Sequence, residues 1–85
     1  MGYFVYILKS KKSNNYYIGS SQNPEIRLTY HNSIEKGFTS RYRPWEIVYK
    51  KEFDLKESAK AAEQKIKKWK SKLMIERIIS VQINI

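Results

Sequence analysis

Two short runs of aromatic and β-branched residues, Phe4-Val5-Tyr6-Ile7-Leu8 and Tyr16-Tyr17-Ile18-Gly19, constrain this chain more than any other feature. Between them lies Lys9-Ser10-Lys11-Lys12-Ser13-Asn14-Asn15, a polar stretch that cannot bury itself. Side chains of this kind pack well on a pleated surface, and the polar break supplies the turn, so the pattern predicts a β-hairpin. Pairing Lys9 with Asn14 leaves a four-residue loop and sets Tyr6 opposite Tyr17. Directly opposed residues share a face of a sheet, so the two phenols meet on one surface. Taken alone, such a pair serves packing more often than chemistry.

The hairpin has to find its core within 85 residues, which is one small domain, residues 1–85, with a core of about 3–79. A hydrophobic share of 41% with 14% aromatics is too apolar for a disordered chain. Seventeen Lys and Arg against eight Asp and Glu give a formal charge of +9, which favours a polyanionic partner, nucleic acid before a membrane surface. The apolar run at the start is shorter than a signal-peptide core or a membrane span, so a soluble, cytoplasmic protein is expected. There is no cysteine and one histidine, which removes disulfides, thiolate nucleophiles and the common zinc spacings. The three glycines, at 2, 19 and 37, are too scattered for a phosphate-cradling loop.

After the hairpin, Asn23 can cap a helix, Pro24 can take its first position and Glu25 can meet the positive end of its dipole. Arg27 and His31, four apart, share one face of that helix, and Ile26, Tyr30 and Leu28 are expected to be buried. Residues 33–44 lack periodicity and read as a loop mixing cations, hydroxyls and rings. Residues 45–53 alternate as a third strand with Trp45, Ile47 and Tyr49 on one face. Asp54 and Glu57 then open a second helix in which Leu55, Ala59, Ala62, Ile66 and Trp69 recur at helical spacing. Ser71 can cap a third helix holding Leu73, Met74, Ile75, Ile78 and Ile79, and residues 81–85 alternate and either run extended or stay mobile. The fold class is α+β, a small three-stranded antiparallel sheet flanked by helices in the order β-β-α-β-α-α.

What remains for chemistry is Tyr6, Tyr17, Arg27, His31 and a carboxylate. Among the acids Glu63 stands beside the Ala59, Ala62, Ile66 stripe, where it can be turned toward the sheet; the alternative is a solvated residue paired with Lys67 one turn on. Arg41, Tyr42, Arg43 and Trp45 combine cations with rings able to stack on bases, although Trp45 suits the core better. Lys65, Lys67, Lys68, Lys70 and Lys72 form a basic run that is either a solvated face or a track for a phosphate backbone.

These segments, together with Tyr17-Ile18-Gly19, His31-Asn32, Thr39 through Trp45 and Glu63 followed by Ile66-Lys67-Lys68-Trp69-Lys70, resemble the GIY-YIG nuclease superfamily. The chain is similar above all to its short, free-standing bacterial members, the UPF0213 or YhbQ-like proteins. The resemblance implies a three-stranded antiparallel sheet and a DNA endonuclease, of use in repair or recombination, that hydrolyses phosphodiesters with one Mg²⁺ or Mn²⁺. It assigns Tyr6 and Tyr17 to the two signature tyrosines, Arg27 to the helix arginine, His31 to a histidine found in some members and Glu63 to the metal ligand. Arg41, Tyr42, Arg43, Lys67 and Lys70 become candidate contacts to nucleic acid. Phe4 replaces a signature glycine, and Ser20 stands where several members carry lysine. A domain that keeps the fold and charge but only binds nucleic acid is the alternative, and which tyrosine acts as base is left open.

Overall fold

A computed structural model describes residues 2–33, 41–69 and 72–80. The elements run β1 (Tyr3–Ser10), β2 (Tyr16–Ser21), α1 (Pro24–Ser33), β3 (Trp45–Phe53), α2 (Lys56–Trp69) and α3 (Lys72–Ile79). The strands form one antiparallel sheet in the order β2-β1-β3, so the first apolar run becomes the central strand and is buried on both faces. Helix α1 covers one face, where Tyr6, Leu8 and Trp45 pack with Tyr17, Leu28, Tyr42 and Ile47. Helices α2 and α3 cover the other, where Val5 and Ile7 meet Ala59, Ala62, Ile66, Ile75 and Ile78.

The hairpin forms with a shifted register. Lys9 pairs with Tyr16 and Tyr6 with Gly19, because β1 runs one residue further and its backbone closes at Ser10 N–H to the Asn15 carbonyl, 3.0 Å. Ser10 explains the extension. Its buried hydroxyl accepts from the N–H groups of Lys12 and Ser13 at 3.0 and 3.1 Å and donates to the Tyr42 carbonyl at 2.7 Å. The loop still has four residues, 11–14, and the change of two in pairing preserves the faces, so Tyr6 and Tyr17 remain on the same side.

Strand β3 departs from strict alternation. Ile7 pairs with Tyr49 but Leu8 with Ile47, which makes Val48 the extra residue of a bulge. Trp45 and Ile47 therefore face α1, whereas Tyr49 joins the cluster under α2 and α3, contrary to the single face expected of all three.

In α1 the expected cap is present. Asn23 Oδ1 accepts from Ile26 N–H at 3.2 Å, and Pro24 is buried at the first helical position. The buried face of α1 is not the one its apolar residues suggested. Ile26 is 65% exposed and Tyr30 38%, while His31 is fully buried and Arg27 and Leu28 half-buried. The polar stripe turns inward because Pro24 and Leu28 flank it at helical spacing and the tyrosine side of the sheet offers it partners. Leu55 is likewise exposed, lying just ahead of α2.

Asn32, in the last turn of α1, ties the helix to β3. Its amide donates to the Trp45 carbonyl at 3.1 Å and its oxygen accepts from Trp45 N–H at 2.6 Å. Both backbone groups of the strand's first residue are thus satisfied by one side chain. Asn32→Ala should destabilise the fold by about 2 kcal/mol, read from urea unfolding, since it strips partners from two backbone groups of a buried residue. Asn32→Asp, which keeps the acceptor and loses the donor, should fall between.

Candidate active site

The register places Tyr6 directly across from Gly19, and the missing side chain there is what lets the ring fit. A Cβ on Gly19 would lie 2.6 Å from the Tyr6 hydroxyl oxygen and 2.8 Å from Cζ. Tyr6, 1% exposed, sets its hydroxyl 3.3 Å from His31 Nε2. Tyr17, half-buried two residues back along β2, sets its ring against His31 in a tilted contact at a centroid distance of 4.6 Å and meets Trp45 edge-on at 6.5 Å. Arg27 lies one turn before His31, hydrogen-bonds the Tyr6 hydroxyl and stacks its guanidinium over Tyr30, 5.0 Å from the ring centre. Arg43 Nε donates to the His31 carbonyl at 2.8 Å, fixing the end of α1 against the segment that leads into β3.

Glu63 comes from the opposite layer. It belongs to the buried stripe of α2 with Ala59, Ala62 and Ile66, itself 6% exposed. One carboxylate oxygen accepts from the Ser20 hydroxyl at 2.6 Å; the other accepts from Lys67 Nζ at 2.6 Å, with Lys60 3.9 Å from the first. Ser20 pairs with Val5 and so faces α2, whereas its neighbour Gly19 faces α1. The carboxylate and the phenols therefore stand on opposite sides of β2, an edge strand, at the point where that strand carries no side chain.

The electrostatics follow from this layout. Burial pushes the Tyr6 phenol above its ordinary value; the hydrogen bond and charge of Arg27 oppose the rise, and the charges of Tyr17 and Glu63 add to it. Tyr6 is therefore protonated at neutral pH, and it senses both Arg27 and Glu63. For Glu63, burial also pushes upward, but the hydrogen bonds from Lys67 and Ser20, with the charges of Lys67 and Lys60, outweigh it and hold the carboxyl below the usual range. Glu63 is ionised at neutral pH with a cation already against it.

The sequence brought Tyr6, Tyr17, Arg27, His31 and Glu63 forward, and they converge around Gly19 and Ser20. The nucleic-acid candidates are more scattered. Arg41 is exposed, Tyr42 packs in the tyrosine-side cluster, Arg43 serves α1, Lys67 holds Glu63, and Lys70 lies outside the described residues. Trp45 is buried in the core. Ser20 was passed over as a ligand-holding residue, and no spacing rule links it to Glu63, 43 residues away.

Among the described residues no group of three His, Cys, Asp or Glu could cage a metal ion. The donor set that is present suits a different kind of site: one buried, ionised carboxylate beside a hydroxyl, fit for a hard divalent ion that keeps most of its waters and takes other oxygens from substrate. Among the described residues no helix is long and apolar enough to cross a membrane.

Comparison with known proteins agrees with the geometry. The structure is similar to the solution NMR structure of the UPF0213 protein BH0048 from Bacillus halodurans, with a TM-score of 0.60 and 28% identity over 96% of this chain and 86% of that one. In sequence, the chain is 46% identical over 51 residues to the structure-specific endonuclease subunit SLX1 of Phaeosphaeria nodorum, covering 54% of this chain and 14% of the relative. It is 50% identical over 52 residues to the same subunit of Podospora anserina, covering 54% and 15%. The chain thus spans only a small part of the length of these curated relatives. The sequence model of the GIY-YIG catalytic domain matches residues 2–77, nearly the whole chain, and the chain belongs to the GIY-YIG family.

Proposed function

We propose that this domain is a metal-dependent endonuclease that hydrolyses phosphodiester bonds in DNA, with Tyr6, Tyr17, Arg27, His31 and Glu63 as its site. The observation that carries the reading is the convergence of a buried, ionised Glu63 and an Arg27-bound Tyr6 on the two sides of one glycine. Relatives named as structure-specific endonuclease subunits support DNA as the substrate, and the charge of +9 suits a polyanion.

Phosphodiester hydrolysis needs an in-line nucleophile, neutralised phosphoryl oxygens and a stabilised leaving alkoxide. Arg27 supplies a fork of donors for the phosphoryl oxygens. Tyr6 takes the proton of the attacking water, and its hydroxyl proton has a route to His31 Nε2, 3.3 Å away. Tyr17 braces His31 through ring contact and faces the same surface as Tyr6. Glu63, helped by Ser20, would hold Mg²⁺ or Mn²⁺, which supplies Lewis-acid charge at the phosphate. Burial keeps Tyr6 protonated at neutral pH, and the Arg27 charge and hydrogen bond favour the phenolate that forms as its proton passes to His31.

The test is incubation of end-labelled single-stranded, duplex, flap and branched DNA with Mg²⁺ or Mn²⁺, for wild type and Arg27→Ala. Products that stop on chelation and fall steeply in Arg27→Ala, with salt-sensitive binding retained, are expected. Absence of products from every substrate would overturn the reading. Tyr6→Phe keeps the packing and should lower kcat by about 10²-fold or more, the usual weight of a positioned base. Tyr17→Phe should cost less, and the reverse order would exchange their roles.

A further inference from the structure

A cleft of about 350 Å³ opens along β2 on the side of α2 and α3, lined in part by Tyr17 of the phenol cluster and reaching Lys67, one helical turn from Glu63. Ile18, Ile66 and Ile75 line it, the Tyr16 ring forms a wall, and Lys67 and Lys72 stand at its rim. Ile66 and Ile75 belong to the core and are anchored, so the apolar surface is preformed. The Tyr16 side chain, half-buried, packs against this same core, which keeps its ring at the cleft.

We infer that this cleft receives one unpaired nucleobase of the bound strand. The inference rests on the nuclease reading for its placement beside a scissile phosphate and on the cleft itself for its ligand. An aromatic ring beside apolar side chains accepts any base by its face, without reading its edge. Two lysines at the mouth place positive charge where the sugar-phosphate backbone must pass. The volume lies in the range of small-molecule sites and accommodates a base with part of its sugar. Lys67 joins this rim to Glu63 by a 2.6 Å contact, so a base seated here presents its own flanking phosphate toward the carboxylate. A base within a duplex stack cannot enter, and the domain accordingly selects DNA with an unpaired nucleotide beside the cleavage point.

The test uses metal-free wild-type protein, so that no strand is cut, and fluorescence anisotropy on a duplex bearing one unpaired arm. A single abasic site is moved through the arm one nucleotide at a time. Affinity should fall about tenfold at one position and stay near the intact value elsewhere, the scale of losing one stacked base. In Ile18→Trp, which fills the cleft from a half-buried edge-strand position, that dependence on position should vanish while circular dichroism stays unchanged. A flat abasic profile, equal losses at every position, an unchanged profile in Ile18→Trp, or no binding to the arm would each overturn the assignment. A flat profile alongside metal-dependent cleavage removes the base site alone; a position-specific profile without cleavage in Mg²⁺ removes the hydrolytic reading alone.

Discussion

Gly19→Ala should disable this protein more thoroughly than its size suggests. The added methyl would sit 2.6 Å from the Tyr6 hydroxyl oxygen and 2.8 Å from Cζ, distances that Cβ atoms do not tolerate. The ring cannot swing clear, because it is 1% exposed, packed with Leu8 and Trp45, and has His31 Nε2 at 3.3 Å from its hydroxyl. Either β2 moves away from β1 or the phenol leaves its place, and overpacking of this kind costs about 1–3 kcal/mol. For a domain of this length that is roughly 4–8 °C in Tm per kcal/mol. The loss of turnover should be larger, since displacing a reacting group by an ångström costs about 10²-fold. Gly19→Ala combined with Tyr6→Phe provides the internal control. Removing the hydroxyl relieves the shorter contact and leaves the ring carbon at 2.8 Å, so part of the stability returns and none of the activity. Thermal melts and single-turnover cleavage of the four chains measure both effects.

How much of this was legible beforehand differs element by element, for physical reasons. The sharing of one sheet face by Tyr6 and Tyr17 follows from a period of two and survives the register shift. The shift itself depends on the Ser10 hydroxyl reaching Tyr42, a contact across 32 residues that local pattern does not contain. The face of Tyr49 was hidden for the same reason: a bulge at Val48 is decided by pairing with β1. In α1, hydrophobicity pointed to Ile26 and Tyr30, yet the sheet takes the His31 side. A polar stripe buried in preference to an apolar one is the mark of a site, where local preference gives way to chemistry. Glu63 was found by its spacing from Ala59 and Ala62, whereas its partner Ser20 comes from another strand and a distant part of the chain.

Glu63→Gln should abolish cleavage, by about 10³-fold or more, the scale of losing one preorganised electrostatic anchor of a transition state, while leaving the fold intact. The glutamine oxygen can still accept from the Ser20 hydroxyl, and Lys67, whose side chain is 45% exposed, can turn its ammonium to water. The lost ion pair therefore costs only about 1 kcal/mol or less, as for pairs with a solvated partner. Acid separates this small structural effect from the catalytic one. Glu63 is held below the ordinary glutamate value of about 4.3 because hydrogen bonds from Lys67 and Ser20 outweigh the burial that pushes it up. A folded carboxyl that is lower than its unfolded counterpart contributes stability that is complete above the unfolded value and is lost as pH falls through the folded one. The stability gap between wild type and Glu63→Gln should therefore be widest at neutral pH and close in acid below about pH 4, as measured by urea unfolding at several pH values. The activity gap should not close from neutral pH down to the ordinary glutamate range, because the carboxylate stays ionised throughout. A gap in stability that widened in acid would mean that Lys67 and Ser20 do not hold the ionised form, and with it the proposed metal ligand would lose its charge.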